Sequence, residues 1–195
     1  VETYIYFKES KVPLDFLIQN FTQMLNFEGN KIDFLTRIYE SFLKAPYSFQ
    51  GMLSKMEKGI PLKHLNSTEE IFTDIMLGNG AGICYASTYT LYQTLQYYGF
   101  YPYIILGYTL EKNSTKRTYN HAAIIVDLGD CLFYLDPGMN LEGPIDFKRE
   151  QNSSISSSHS TKIVRLKFEN KHTYKLQLRS SNRKWILLKY MEDIP

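Results

Sequence analysis

Apolar residues recur at helical spacing through the first part of the chain. Pro13 is followed by Leu14, Phe16, Leu17, Phe21, Met24 and Leu25, and Pro at a helix start is favourable. Ile32, Leu35, Ile38, Tyr39, Phe42 and Leu43 repeat the spacing, and the second helix should end near Ala45-Pro46. Ser67-Thr68-Glu69-Glu70 has the form of a capping box and opens a third helix through Ile71, Phe72, Ile75 and Met76 to Gly78. The breaker Gly78-Asn79-Gly80-Ala81-Gly82 comes next. A helical pattern then runs from Cys84 to Tyr98 and stops at Gly99.

Beyond Gly99 the period changes to that of strands. Strands are expected over 101–108, 121–128, 131–136, 161–169, 172–179 and 184–190, with Gly129-Asp130 as a hairpin turn. The serine-rich stretch 148–160 is expected to be a loop. The fold class is therefore α+β: a helical N-terminal unit over 1–83, a core over 84–147 with the Cys84 helix and antiparallel, barrel-like strands, then the loop, then C-terminal strands over 161–195.

Composition narrows the picture. The chain has 195 residues, 44% of them apolar and 22% charged, enough for a proper core. A formal net charge of +2 with no basic stripe argues against a nucleic-acid partner. No apolar run is long enough to span a membrane. Cys84 and Cys131 are too few for a disulfide scaffold, and the histidines have no metal-ligand spacing, so no metal is expected. Val1-Glu2-Thr3-Tyr4 lacks both Met and a secretory pattern, which reads either as a start from which residues have been removed or as the place where a piece of a longer chain begins. The expected location is the cytoplasm.

Three residues carry candidate chemistry. Cys84 stands at a helix N-terminus, where the dipole and unpaired N–H groups favour thiolate and can hold an oxyanion. A buried structural cysteine is the ordinary alternative. His121 on a strand and Asp136 before Pro137-Gly138 are each unremarkable alone. The hairpin register changes that. With a two-residue loop at Gly129-Asp130, Leu128 faces Cys131, Ala123 faces Asp136 and His121 faces Gly138. His121 and Asp136 then share one face as diagonal neighbours, with Cβ atoms about 7–8 Å apart. If the hairpin packs on the start of the Cys84 helix, a Cys–His–Asp triad results, in which His121 takes the thiol proton and Asp136 orients the ring.

Several segments now fall into an ordered series. They are Ala45-Pro46-Tyr47-Ser48-Phe49, Gly59-Ile60-Pro61-Leu62, Gly80-Ala81-Gly82-Ile83-Cys84-Tyr85, Gly107-Tyr108, Asn120-His121, Leu135-Asp136-Pro137-Gly138 and Gly143-Pro144-Ile145. Their order and gaps resemble the arylamine N-acetyltransferase family. The resemblance implies a cysteine-proteinase-like core with a shortened C-terminal lid unit and Cys84, His121 and Asp136 as catalytic triad. It implies Tyr47, Phe49 and Met139 near the acceptor pocket. The implied reaction is ping-pong, with acetyl-CoA as acyl donor and a small arylamine, hydrazine or similar amine as acceptor. The chain differs from the family in having Gly80-Ala81-Gly82 where Arg-Gly-Gly is usual. Ala86 stands where Glu is usual, and Gly138-Met139-Asn140 replaces a Gly-Phe-Gly stretch. Two other readings are a transglutaminase-like or peptidase-like enzyme acting on an amide, and a catalytically silent binding module on the same fold.

Overall fold

A computed structural model describes residues 6–7, 13–23, 29–43, 57, 64–65, 68–77, 84–110, 117–139, 141–148, 153–156, 162–170, 173–180 and 186–192. Helix α1 spans Leu14–Gln23, α2 Lys31–Leu43, α3 Thr68–Leu77 and α4 Cys84–Tyr97. Tyr47, Phe49 and the Gly80-Ala81-Gly82 loop lie outside the described residues.

The helices follow their apolar spacing. Leu17, Ile18 and Phe21 of α1, Leu35, Ile38, Tyr39 and Phe42 of α2, and Ile71 and Phe72 of α3 are buried together. Phe21 lies 5.6 Å from Phe42 and 5.1 Å from Phe72, ring centre to ring centre. Helix α2 begins where Asn30 Oδ1 accepts from the backbone N–H groups of Ile32 and Asp33, both at 2.9 Å, an N-cap that satisfies two otherwise orphaned donors.

Helix α4 is different. It packs against α1, α2, α3 and the sheet, so it is covered on several sides rather than along one stripe. Its buried positions include Ser87, Thr88, Thr90 and Thr94, whose hydroxyls need partners in that setting. Thr94 Oγ1 donates to the Thr90 carbonyl at 2.9 Å within the helix. Thr88 Oγ1 donates to the Ala122 carbonyl at 3.1 Å and clamps the helix to the sheet. The helix closes at Gly99, whose φ of 72° places it in the left-handed region. Gly99 N–H donates to the Gln96 carbonyl and Phe100 N–H to the Leu95 carbonyl, both at 3.0 Å, the paired bonds of a Schellman end.

Strands β1 (Tyr6–Phe7) and β2 (His64–Leu65) form a short parallel pair. The main sheet holds β3 (Pro102–Leu110), β4 (Arg117–Asp127), β5 (Leu132–Leu135), β6 (Ile145–Phe147), β7 (Ser153–Ser156), β8 (Lys162–Asn170), β9 (Thr173–Ser180) and β10 (Ile186–Glu192). Its order is β6-β5-β4-β3-β10-β9-β8-β7, with antiparallel pairing throughout. The sheet curls: Phe147 on edge strand β6 packs against Tyr174 on β9, ring centres 5.5 Å apart. It is not a closed barrel, because no ladder joins β6 to β7 among the described residues.

Two expectations need correcting. The serine-rich stretch holds β7, which pairs Ser153 with Leu166 and Ser156 with Ile163. Backbone pairing at a sheet edge needs little from side chains, so serine content does not forbid it. His121 does not open a strand; β4 begins at Arg117 and runs opposite β3 from Leu110. The polar, exposed residues 117–120 hide that extension from hydrophobic patterning.

Candidate active site

The β4–β5 hairpin fixes the geometry. Leu128 N–H donates to the Cys131 carbonyl at 3.1 Å across the Gly129-Asp130 loop. Gly129 has φ 89°, and its N–H donates to Asp127 Oδ1 at 2.7 Å. The ladder pairs Asp127 with Leu132, Val126 with Phe133, Ile125 with Tyr134 and Ile124 with Leu135, the register expected from a two-residue turn. The chain then leaves the strand at Asp136 and turns through a short 3₁₀ segment, Pro137–Met139.

That turn brings Asp136 to His121. The distance from His121 Nε2 to Asp136 Oδ2 is 2.7 Å, with the carboxylate fully buried and the histidine 4% exposed. Cys84, the first residue of α4, is 6% exposed, and its Cβ and His121 Cε1 both border the space beside Gly138, so the sulfur-bearing residue and the imidazole are neighbours. Burial by itself pushes His121 toward the neutral form. The Asp136 charge and hydrogen bond outweigh it, Cys84 adds to them, and the imidazole is raised to about 10. At neutral pH the ring is therefore a cation between a carboxylate and the sulfur.

Glycine makes room for this contact at two positions. A Cβ on Gly138 would stand 2.4 Å from Cys84 Cβ, 3.1 Å from its Cα and 3.3 Å from His121 Cε1. A Cβ on Gly107, which pairs with His121 across β3–β4, would stand 2.9 Å from Met191 Sδ and 3.1 Å from His121 Cβ. At Gly138 only a hydrogen fits without moving the start of α4, whereas at Gly107 a side chain would push on the Met191 side chain and crowd His121.

The carboxylate is itself held on every side. Tyr134 donates its hydroxyl to Asp136 Oδ2 at 2.5 Å, and Met139 N–H donates to Oδ1 at 3.0 Å. Tyr39, reaching over from α2, donates to the Asp136 carbonyl at 3.0 Å and accepts the Asp136 N–H at 3.3 Å. Sequence reasoning missed both tyrosines. Each reads as a core aromatic, and the signal for Tyr134 was its place two residues before Asp136, on the same face of β5. Met139 is half-buried, and the described contact to the aspartate comes from its backbone. A separate cavity of about 540 Å³, lined by Lys31, Ile32, Tyr101, Tyr103, Asp127, Leu128 and Gly129, includes none of the three candidate residues.

A sulfur at a helix start, an imidazolium and a buried carboxylate in a row define a site of the cysteine-nucleophile kind. The family model for N-acetyltransferase matches residues 32–191, and the chain belongs to that family, the arylamine N-acetyltransferases. No curated protein matches the chain by sequence. Among solved structures, the arylamine N-acetyltransferase from Salmonella typhimurium is 18% identical with a TM-score of 0.65, over 92% of this chain and 64% of that one. An arylamine N-acetyltransferase from Bacillus cereus, described with a Cys-His-Glu catalytic triad, is 21% identical with a TM-score of 0.61, over 90% of this chain and 69% of that one. The Mycobacterium marinum enzyme in complex with CoA is 15% identical with a TM-score of 0.66, over 91% and 65%. At these identities the likeness is one of fold. The chain spans less than two thirds of the length of the Salmonella and Mycobacterium marinum proteins. No helix among the described residues is long and apolar enough to cross a membrane.

Proposed function

We propose that the chain transfers an acyl group from a thioester, with acetyl-CoA as donor, to a small aromatic amine or hydrazine in the cytoplasm. The observation that carries this reading is the His121–Asp136 contact at 2.7 Å on a ring that also meets Cys84 at the start of α4. The Mycobacterium marinum relative, solved with CoA, supports the choice of donor.

The geometry supports the following steps. The Cys84 thiolate attacks the thioester carbonyl, and an S–C bond forms. N–H groups in the first turn of α4 face the developing oxyanion. The carbonyl re-forms as the coenzyme sulfur leaves with the proton that His121 carried, and Cys84 holds the acyl group. The amine then attacks the same carbonyl and passes its proton to His121. The C–S bond breaks, and the thiolate–imidazolium pair returns. Asp136 keeps the ring in one orientation and stabilises its charged form.

Intact mass spectrometry after mixing with acetyl-CoA tests this. The expected result is the gain of one acetyl group on the wild-type chain and none on Cys84→Ala. An adduct on Cys84→Ala would end the nucleophile assignment. No adduct on a wild-type chain whose thiol still reacts with iodoacetamide would end the choice of donor and shift the reading to an amide substrate.

A further inference from the structure

Two buried tyrosines sit on the candidate aspartate and are not consumed by the reaction above. Asp136 Oδ2 receives two donors, His121 Nε2 at 2.7 Å and the Tyr134 hydroxyl at 2.5 Å. Oδ1 receives Met139 N–H at 3.0 Å. Tyr134 is fully buried and so is Asp136. A carboxylate with all three donors in place cannot rotate without breaking a charge-assisted bond in a buried site.

Resting on the acyl-transfer reading, we propose that Tyr134 is a positioning residue for that reaction: its hydroxyl shares Oδ2 with His121 and fixes the plane of the carboxylate, and through it the tautomer and aim of the imidazole. Tyr39 does the complementary work on the main chain, holding both the carbonyl and the N–H of Asp136 to α2. Neither touches the sulfur in any described contact, so both act through Asp136.

The electrostatic setting supports this. Burial, then the Asp136 charge, hold both tyrosine hydroxyls well above their ordinary value, so each stays a donor. The titratable groups facing one another here are Cys84 from α4, Tyr39 from α2, His121 from β4, and Tyr134 and Asp136 at the end of β5. Among the described residues no lysine or arginine acts on His121 or the two tyrosines.

The test uses Tyr134→Phe, which keeps the ring and removes the hydroxyl. Two readouts need no acyl donor: the alkylation rate of Cys84 by iodoacetamide at neutral pH, and the NMR position of the His121 Nε2 proton. The expected results are a roughly tenfold slower alkylation, because the freed carboxylate no longer aims the ring, and an upfield move of the proton as its bond to Oδ2 loosens. Acetyl transfer should lose kcat at unchanged KM. If Tyr134→Phe does not fold, 3-fluorotyrosine at position 134 gives a stronger donor of nearly the same shape, and the His121 proton should then move downfield. An unmoved proton resonance in whichever protein folds overturns the proposal. A wild-type Cys84 that alkylates like an ordinary thiol would instead overturn the nucleophile reading, leaving the resonance to decide Tyr134 alone.

Discussion

Gly138→Ala is the most direct probe of how the site is assembled. The added carbon would lie 2.4 Å from Cys84 Cβ and 3.1 Å from Cys84 Cα. Carbon atoms rest about 3.5–4.0 Å apart, so the gap must open by about 1 Å. Neither opposing atom is the end of a flexible side chain. Both belong to the root of the first residue of α4, so either the helix start or the 3₁₀ turn must move. A displacement of about 1 Å between reacting groups costs on the order of a hundredfold in rate, and overpacking of this kind costs about 1–3 kcal/mol of stability. The assay pairs acetyl transfer and iodoacetamide alkylation of Cys84 with urea unfolding. The expected outcome is acetyl transfer slowed by roughly two orders of magnitude, with slower alkylation of Cys84, while the chain stays folded. Gly129→Ala is the control. Its Cβ would meet nothing within 4 Å, but its φ of 89° disfavours any side chain. It should lose about 1–2 kcal/mol of stability and keep its thiol reactivity. A Gly138→Ala protein with wild-type alkylation and stability would show that the turn does not press on the sulfur.

Two further predictions concern the charge pair. Asp136→Asn keeps the shape but removes the charge and one of the two acceptor oxygens that receive His121, Tyr134 and Met139, and acyl transfer should fall by roughly 10³–10⁴-fold with the fold retained, as followed by steady-state turnover and circular dichroism. His121 is raised to about 10 from an ordinary value near 6.5, so the folded chain holds a proton that the unfolded chain releases between those limits. Its stabilisation is complete below about pH 6.5 and fades as pH climbs toward about 10, with a slope of up to about 1.4 kcal/mol per pH unit. Urea midpoints across that window should decline in the wild type and decline less in His121→Gln; parallel curves would contradict the assignment.

Much of the site was legible because one short turn governs it. Once Gly129-Asp130 is a two-residue loop, alternation along β4 and β5 leaves His121 and Asp136 no choice of face. The Cys84 helix was equally legible, since a glycine-rich breaker and Gly99 bracket it. What stayed hidden depends on distance in sequence. Tyr39 meets Asp136 across 97 positions, and no local pattern encodes the partner of a buried hydroxyl. Strand β6 is three residues long and β7 is made mostly of serine, so each exists through backbone pairing with a neighbour and carries little pattern of its own. The approach of β10 to β3 is a non-local closure of the same kind.

That closure has a consequence for how the molecule is made. Strand β10 is the seam between β3–β6 on one side and β7–β9 on the other, and its Met191 lies fully buried against Gly107, behind His121. On a ribosome, the hairpin bearing the imidazole emerges well before the residues that back it. The nascent molecule must keep an unfinished sheet edge at β3 waiting for a late partner, which is slow, and open edges invite other chains. Maturation of the candidate site is thereby tied to completion of the sheet rather than to folding of the segment that contains it.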